Sequence, residues 1–295
     1  MKSLPIVLNS NQQPGRSAFS VSVVISTFMR PDSLIMCVRS VVSQTLAPKE
    51  VIIVHDGPGE ATRHALEEAF QPLLDSSLIC FIETPVWYGR PAPARNLGVS
   101  ISTGDFIAFC DDDDFWFRIK LESQMRVVED EPSVGAVFSL YNSISSNDNS
   151  HSGGNQDHGH FQGLDVVDRF PKFKSVSLGE LLFSSGLCHS SALVRRHLIP
   201  DDFFPETPAA KAFEDYCAWI KLSINDCDLR VVLTPLVGYL VDNSTSIRGN
   251  KISHNIRMSI YVTKQLLSVR RIWYLPTFYI GRMWAAFRLL TGRLL

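Results

Sequence analysis

Four consecutive carboxylates, Asp111 to Asp114, are the residues of this 295-residue chain best suited to chemistry. Adjacent carboxylates repel one another and are costly to remove from water, and a divalent cation relieves both conflicts. Mg²⁺ and Mn²⁺ prefer oxygen ligands and often bridge one or two carboxylates to the phosphates of a substrate. A solvated acidic turn is the alternative, but the aromatic pair Phe115-Trp116 directly behind the acids favours a metal-assisted phosphate site.

A second acidic pair, Glu214-Asp215, precedes an apolar segment that contains Trp219. A hydroxyl group is a weak nucleophile until a base removes its proton during attack, and a cation stabilises a departing diphosphate. One base and one metal are therefore the minimum set for group transfer from a phosphorylated donor. The pair also suits the N-terminal end of a helix, and both interpretations can hold together, because such an end can point a carboxylate into a crevice.

These acids need a scaffold, and the first half of the chain alternates strand and helix patterns. Apolar, β-branched runs predict strands at 21–27, 51–54, 78–82 and 106–110. Helical patterns begin at Pro31 and cover 61–70 and 92–102. The alternation predicts an α/β fold with a mostly parallel central sheet. Ligands of such sheets bind beyond the carboxyl ends of the strands, so Asp56 and the acidic run should face one crevice.

Four ordered segments resemble family 2 glycosyltransferases, which have the GT-A fold of nucleotide-diphospho-sugar transferases. The segments are VSVVISTFMR at 21–30, VIIVHDG at 51–57, ARNLG at 94–98 and FCDDDDFW at 109–116. They match the family's opening strand, its strand ending in Asp-Asp-Gly-Ser, its Ala-Arg-Asn-x-Gly motif and its DxD region. The resemblance therefore implies a GT-A domain that binds a sugar nucleotide.

The resemblance also implies roles in donor binding. Thr27 and Asp56 would line the pocket for the nucleotide base, Arg30 would belong to the same donor site, and Arg95 would lie near the nucleoside or its phosphates. In the DxD region, Asp111 would lie near the ribose.

The metal would be held by Asp113, with Asp112 assigned to the donor. A run of four acids permits more than one register, so Asp114 stays an alternative to Asp113. Many relatives carry a metal-binding His near the segment that ends at Asp242, and Asp242 is accordingly a second candidate ligand for Mg²⁺ or Mn²⁺.

The Glu214-Asp215 pair resembles the family's Glu-Asp motif, whose Asp is the catalytic base in inverting members. This implies Asp215 as the base, with Glu214 and Trp219 on the acceptor side. His189 and Ser190 fall in a segment that resembles the family's acceptor-shaping region, although a buried core histidine is an equal interpretation of His189.

Departures from the family pattern concentrate in the first two motifs. Ser26 replaces the usual Pro, Phe28-Met29 replaces Tyr-Asn, His55 replaces the first Asp of Asp-Asp-Gly-Ser and Pro58 replaces its Ser. Asp56 is therefore the single acid of its motif.

The chain divides by composition into three parts. We predict an N-terminal extension at 1–19, a catalytic domain at 20–245 and a helical tail at 246–295. The catalytic domain should contain a nucleotide-binding half at about 20–135 and an acceptor half at about 136–245. The tail is basic and aromatic, with no Asp or Glu after Asp242, which suggests an anionic partner. Contact with a membrane surface, packing on the domain and a dimer contact stay open for this tail.

Cysteine usage and hydropathy suggest the compartment. The six cysteines form no CxxC pair, which argues against a zinc site or a redox dithiol, and Cys37, Cys80 and Cys110 occur in apolar runs expected in the core. The first residues lack the apolar stretch of a signal peptide, and no window has the length of a membrane span. We therefore expect a cytoplasmic protein, with the tail as a candidate contact to the inner face of the cytoplasmic membrane.

These observations predict an inverting glycosyltransferase. It would move a sugar from a nucleotide-diphosphate donor to a glycan or lipid-linked glycan, in the synthesis of cell-surface polysaccharide. A metal-dependent nucleotidyltransferase is one alternative, but it would usually show a glycine-rich loop where this chain has Thr27 to Pro31. A non-catalytic sugar-nucleotide-binding protein is the other, and Asp215 argues against it. Nothing in the sequence indicates a nucleic-acid partner.

Overall fold

The computed structural model describes residues 18–145, 171–184, 186–241 and 251–291. The first half alternates strands and helices as predicted: β1 (Val21–Thr27), α1 (Pro31–Val42), β2 (Glu50–His55), α2 (Glu60–Asp75), β3 (Ile79–Glu83), α3 (Pro91–Ile101) and β4 (Phe106–Asp111). The strands form where β-branched and aromatic residues run without interruption. Pro31 and Pro91 each stand at a helix start, where a missing N–H leaves no intrahelical bond unmade.

The helix predicted to end at Phe70 continues to Asp75. Its backbone leaves the helical region at Phe70 (φ −139°, ψ 22°), two residues before Pro72. Proline inside a helix removes one hydrogen bond and crowds the preceding turn. The sequence pattern therefore located the break, but the chain resumes a helical path beyond it.

The second half is more mixed. Its elements are β5 (Phe115–Trp116), α4 (Lys120–Asp130), β6 (Ala136–Ser145), β7 (Phe173–Ser175), α5 (Leu178–Phe183), β8 (Leu193–Arg195), α6 (Glu214–Ile224), β9 (Leu229–Val241), α7 (Lys251–Ser268) and α8 (Leu275–Thr291). A short 3-10 turn at His189–Ser191 precedes β8.

One sheet contains the nine strands of the described residues, in the order β3-β2-β1-β4-β8-β6-β9-β5, with β7 beside β9. The pairings make six strands run in one direction, and β5, β7 and β8 run against them. The predicted α/β class with a mostly parallel sheet is confirmed. The half that carries the first two motifs, β3-β2-β1-β4, is parallel throughout.

Two apolar layers cover the sheet. Along β4, Phe106, Ala108 and Cys110 pack into one layer with α1 and α4, whereas Ile107 and Phe109 pack into the other with α6. The alternation follows the two-residue period of a strand. Cys80 departs from the prediction of a core position, because it is exposed on β3, the edge strand of the sheet.

The tail forms helices that pack on the domain. Val262 of α7 and Phe278 of α8 are fully buried in the same layer as α6. Of the three alternatives for the tail, packing on the domain is therefore the one observed for one side of each helix. Within the described part of the chain, we find no helix with both the length and the apolar character needed to cross a membrane.

Candidate active site

The carboxyl ends of three neighbouring strands bring the donor motifs together. In the sheet register, Thr27 at the end of β1 lies beside His55 of β2, and Ser26 lies beside Asp111 of β4. Asp56 and the acidic run follow directly on these strand ends. The structure therefore places these residues at one edge of the sheet, as the strand order requires.

Asp111 pairs with a buried arginine. Its Oδ1 accepts a 2.6 Å hydrogen bond from Nη2 of Arg95, a residue of α3. Burial opposes ionisation of Asp111, but the charge and hydrogen bond of Arg95, with smaller contributions from His189 and Arg30, together hold the pKa of that carboxyl below its usual value. Asp111 is therefore a carboxylate at neutral pH.

Asp112 and Asp113 share Arg30. The guanidinium of Arg30 donates to Oδ2 of Asp113 at 2.6 Å and to Oδ1 of Asp112 at 3.3 Å, and the Thr27 hydroxyl donates to Asp112 at 2.7 Å. Burial raises the pKa of Asp112 to about 6, even though the Thr27 hydrogen bond lowers it. The Asp113 side chain is 33% exposed and opens to solvent, whereas that of Asp112 is 8% exposed.

Asp114 has a different environment from the other three acids. It is 2% exposed, accepts a 2.5 Å hydrogen bond from the Ser190 hydroxyl and a 3.1 Å bond from the backbone N–H of Leu240. The Ser190 oxygen in turn accepts from the N–H of Asp111 at 3.0 Å. Burial raises the pKa of Asp114 well above its usual value. Its carboxyl group ties the acidic turn to the 3-10 turn and to β9.

Arg95 lies between the two acidic motifs. It is 6% exposed, and its guanidinium carbon lies 5.5 Å from the centre of the Phe204 ring. Burial lowers the pKa of Arg95, but the charges of Asp111, Asp215 and Glu214 together raise it above its usual value. One buried cation thus balances the acidic turn on one side and the Glu214-Asp215 pair on the other.

The Glu214-Asp215 pair begins α6, as its composition predicted. Glu214 is 2% exposed, and burial raises the pKa of its carboxyl. Asp215 is partly exposed, and its Oδ1 accepts a 2.8 Å hydrogen bond from the N–H of Tyr216. Only the second acid of the pair is therefore open to a substrate in this conformation.

His189, Ser190 and Trp219 are all buried. The imidazole of His189 packs at ring-centre distances of 5.3 Å from Phe109, 5.6 Å from Phe204 and 6.1 Å from Trp219. Burial in this aromatic surround, beside the charge of Arg95, lowers the pKa of His189 to about 3. The imidazole of His189 is therefore neutral. Its Nε2 lies 3.8 Å from Oδ1 of Asp111.

Asp56 holds a loop that sequence reasoning did not single out. Its two carboxylate oxygens accept 2.8 Å hydrogen bonds from the N–H groups of Tyr88 and Gly89, in the segment after β3. The same segment presents Trp87, whose exposed ring stacks on that of Phe28 with centres 5.7 Å apart and planes at 18°. The aromatic residues in this loop, at the carboxyl end of a strand, were the sequence signal that could have indicated its place in the site.

His55 takes a structural position in place of the family's Asp. Its Nε2 accepts a 3.3 Å hydrogen bond from the N–H of Met29, and its Nδ1 lies 2.8 Å from the carbonyl oxygen of Gly57. These partners assign the proton to Nδ1. The neutral ring thereby joins the ends of β1 and β2.

Carboxylates are the groups of this site that could hold a metal ion. Asp242 lies outside the described residues, and within them no three His, Cys, Asp or Glu side chains are grouped as a metal site. A cation held by one or two carboxylates and completed by substrate phosphates does not need such a group. The oxygen donors of Asp111 and Asp113, both partly open to solvent, fit that arrangement.

The model of the glycosyl transferase family 2 domain matches residues 22–199. This segment includes all of β1 except Val21, the acidic turn and Ser190, and it covers more than half of the chain. The chain belongs to glycosyltransferase family 2, and it is a transferase enzyme with the α/β fold predicted from its motifs.

Among curated proteins, an Escherichia coli relative, UDP-Glc:alpha-D-GlcNAc-diphosphoundecaprenol beta-1,3-glucosyltransferase WfaP, is 27% identical over 81% of this chain and 84% of its own length. A second E. coli glucosyltransferase with the same donor and acceptor in its name, WfgD, is 24% identical over 69% of this chain and 70% of its own. An uncharacterized glycosyltransferase of Rickettsia bellii is 28% identical over 82% of this chain, which spans only 32% of that protein.

Solved structures share the fold at low sequence identity. S. aureus TarS residues 1–349 in complex with UDP-GlcNAc superposes with a TM-score of 0.64 at 16% identity, covering 89% of this chain and 72% of that one. The mannosyltransferase PcManGT from Pyrobaculum calidifontis, in complex with GDP-Man and Mn²⁺, gives a TM-score of 0.54 at 17% identity, covering 94% and 76%.

Proposed function

We propose that this enzyme transfers a hexosyl group, with inversion, from a nucleotide-diphosphate sugar to a hydroxyl of a lipid-linked glycan. One observation carries the proposal: the buried guanidinium of Arg95 balances both the acidic turn and the Glu214-Asp215 pair. A donor held at the first motif would therefore lie within reach of a base at the second. The E. coli relatives named for a diphosphoundecaprenol-linked acceptor support the acceptor class.

The donor nucleotide would bind along the carboxyl ends of β1, β2 and β4. Thr27 and Asp56 lie there, and the exposed rings of Phe28 and Trp87 offer flat apolar surfaces to a base. Arg30, which pairs with Asp113, supplies positive charge near the diphosphate. Solved complexes with UDP-GlcNAc and GDP-Man in related folds support a sugar-nucleotide donor.

A divalent ion, Mg²⁺ or Mn²⁺, would be held by Asp113, with Asp111 beside it and Asp242 as a further candidate. When bound, such an ion stabilises the negative charge that develops on a departing diphosphate. Among the four acids, Asp113 has the most accessible carboxylate not committed to the fold, whereas Asp114 is enclosed by Ser190 and Leu240. This difference supports the register with Asp111 and Asp113 as the working pair.

Asp215 would act as the general base. Its carboxylate would accept the proton of the acceptor hydroxyl as the oxygen attacks the anomeric carbon. Inversion requires attack from the face opposite the leaving diphosphate. Asp215 stands at the start of α6, is partly exposed and interacts electrostatically with Arg95, which supports this assignment.

The test uses the purified full-length chain, a panel of nucleotide sugars and a diphosphoundecaprenol-linked sugar acceptor, with and without Mn²⁺. Thermal-shift screening identifies the donor first, because a bound ligand raises the melting temperature. We expect Asp215→Asn to keep donor binding and lose transfer by about 10²- to 10⁴-fold. Asp113→Asn should lose the Mn²⁺-dependent part of donor binding.

Asp202→Asn, which changes an exposed acid that pairs with Lys221, is the matched control and should behave as wild type. Full transfer by both site variants would refute the mechanism. Donor binding without transfer to any acceptor would favour the non-catalytic alternative, and an anomeric product of retained configuration would refute inversion.

Membership of family 2 favours sugar transfer over nucleotidyl transfer. We further propose that the reaction belongs to cell-surface polysaccharide synthesis at the cytoplasmic face of the membrane.

A further inference from the structure

The inner face of α8 is committed to the domain. Phe278 is fully buried, and Gly281 approaches α5 so closely that an added Cβ would lie 2.5 Å from the carbonyl oxygen of Phe183. The hydroxyl groups of Tyr279 and Thr263 lie 2.8 Å apart, which links α8 to α7. These contacts fix the rotation of α8 about its own axis and so decide which side chains point away from the domain.

The outer face of α8 presents large apolar side chains to solvent. Pro276, Ile280 and Met283 follow one another at i, i+4 and i+7 and therefore share one side of the helix. Trp273 lies in the turn directly before it. Met283 is 72% exposed, Trp273 is 63% exposed and Ile280 is 58% exposed. We call these four residues the α8 outer face. Grouped exposure of this kind marks an interaction surface.

The segment that contains this apolar face is basic in sequence. Nine Lys and Arg residues and no acid occur after Asp242: Arg248, Lys251, Arg257, Lys264, Arg270, Arg271, Arg282, Arg288 and Arg293. Lys264 and Arg270 are exposed, whereas Arg271 is tied to Asp226 at 2.9 Å. Tryptophan and long cationic side chains together favour the headgroup region of a bilayer, where anionic lipids complement the charge.

We infer that the α8 outer face docks the enzyme on an anionic lipid bilayer, with the helix lying in the plane of the interface. The inference deepens the proposed function and rests on it in one respect, since a lipid-linked acceptor would be embedded in that bilayer. The packing of the neighbouring helix α7 supports this orientation of the enzyme on the bilayer. His254 and Tyr261 of α7 pack on Phe213, with ring centres 5.5 and 6.1 Å apart, and Phe213 directly precedes the Glu214-Asp215 pair. The helix α7, which contacts α8, therefore adjoins the Glu214-Asp215 end of the site.

Co-sedimentation of the full-length chain with lipid vesicles tests this surface. Vesicles of phosphatidylcholine alone are compared with vesicles that also contain phosphatidylglycerol, at low and high salt. Wild type should bind the anionic vesicles preferentially, and salt should weaken the binding. The double variant Ile280→Ser/Met283→Ser should bind at least about tenfold more weakly, because two apolar side chains no longer enter the interface.

The matched control is Met36→Ser/Ile101→Ser, which makes the same two changes at exposed positions on α1 and α3. It should bind vesicles as wild type does, and melting temperatures of both double variants show whether each is folded. Wild-type vesicle binding by Ile280→Ser/Met283→Ser, or equal loss in both double variants, would overturn the inference. A wild-type dimer in light scattering that this variant dissolves, without vesicle binding by either, would assign the face to a second copy instead.

Transfer to a short-chain, water-soluble acceptor separates this inference from the proposed function. Ile280→Ser/Met283→Ser should transfer to that acceptor at the wild-type rate and lose activity on vesicle-embedded acceptor only. Absence of transfer by wild type to either acceptor would count against the proposed function, and vesicle binding would still be measured independently.

Discussion

Arg95 and Asp111 form a 2.6 Å ion pair in which the arginine side chain is 7% exposed and the aspartate side chain 28% exposed. The pair joins α3 to the end of β4, and it sets the charge of the donor side of the site. Arg95 also interacts electrostatically with Glu214 and Asp215. Its removal would therefore leave three carboxyl groups without their common counter-charge.

Arg95→Met should lower the free energy of unfolding by about 2–3 kcal/mol, below the value for a fully buried pair because Asp111 is partly solvated. A double-mutant cycle with Asp111→Asn, measured by urea denaturation, should give a coupling of at least about 1 kcal/mol. The control cycle uses Arg63 and Glu83, which form a 2.9 Å pair with side chains 45% and 27% exposed. That pair should couple by less than about 1 kcal/mol. Equal couplings would contradict the assigned role of Arg95.

Glu214 and Asp215 should respond differently to loss of charge. Burial raises the pKa of Glu214, so its protonated form, which Gln imitates in shape, is easier to reach than that of an exposed Glu. Glu214→Gln should lower kcat by less than about tenfold, whereas Asp215→Asn should lower it by about 10²-fold or more. Steady-state kinetics with the identified donor measures both. Greater damage from Glu214→Gln than from Asp215→Asn would move the base to Glu214.

Trp87 should contribute to nucleotide affinity. Stacking of a base on an aromatic side chain is worth about 1–3 kcal/mol, so Trp87→Ala should weaken binding of the matching nucleoside diphosphate by roughly 5- to 150-fold. Isothermal titration in the presence of Mn²⁺ gives the dissociation constants. Trp273→Ala is a matched control, since Trp273 is 63% exposed and Trp87 is 65% exposed. Trp87→Ala should lose nucleotide binding and keep vesicle binding, whereas Trp273→Ala should lose vesicle binding and keep nucleotide binding. Unchanged nucleotide affinity in Trp87→Ala would remove this loop from the base pocket.

Lys120 should make stability depend on pH. Its ammonium group lies fully buried against the Trp116 ring and donates to Gln124 at 2.8 Å, and burial lowers its pKa from 10.5 to about 7. Between these values the unfolded chain binds the proton more tightly than the folded one. The free energy of unfolding should therefore rise with pH in this window, by up to about 1.4 kcal/mol per pH unit from this residue.

Urea denaturation of wild type and Lys120→Met at about pH 7 and about pH 9 measures the effect. The difference in unfolding free energy between wild type and variant should shift in favour of wild type at the higher pH. Lys172→Met, at an exposed lysine, should follow the wild-type profile. Parallel profiles for wild type and Lys120→Met would show that Lys120 stays charged in the folded state.

Local pattern was sufficient for the scaffold of the nucleotide-binding half. The run at Val21–Thr27 is a strand at the predicted residues, and the acidic turn follows β4 as its sequence position implied. These features depend on side-chain type and on a period of two or 3.6 residues, which are written along the chain itself. The family motifs likewise occur in contiguous segments. The prediction that Cys80 lies in the core was wrong, because the position of a strand at the edge of a sheet is not a local property of the sequence.

Only the tertiary structure distinguished the four acids from one another. Identical neighbours carry no local signal, but the Thr27 hydroxyl reaches Asp112 across 85 positions and the Ser190 hydroxyl reaches Asp114 across 76. The charge balance of Arg95 and the neutral His189 likewise arise from side chains that distant segments bring together. The order of the amino acids was enough to show which chemical groups the protein possesses and which strand ends carry them. Sheet order and packing decided which of those groups are buried and which stay open to a substrate, because desolvation and pairing depend on neighbours in space.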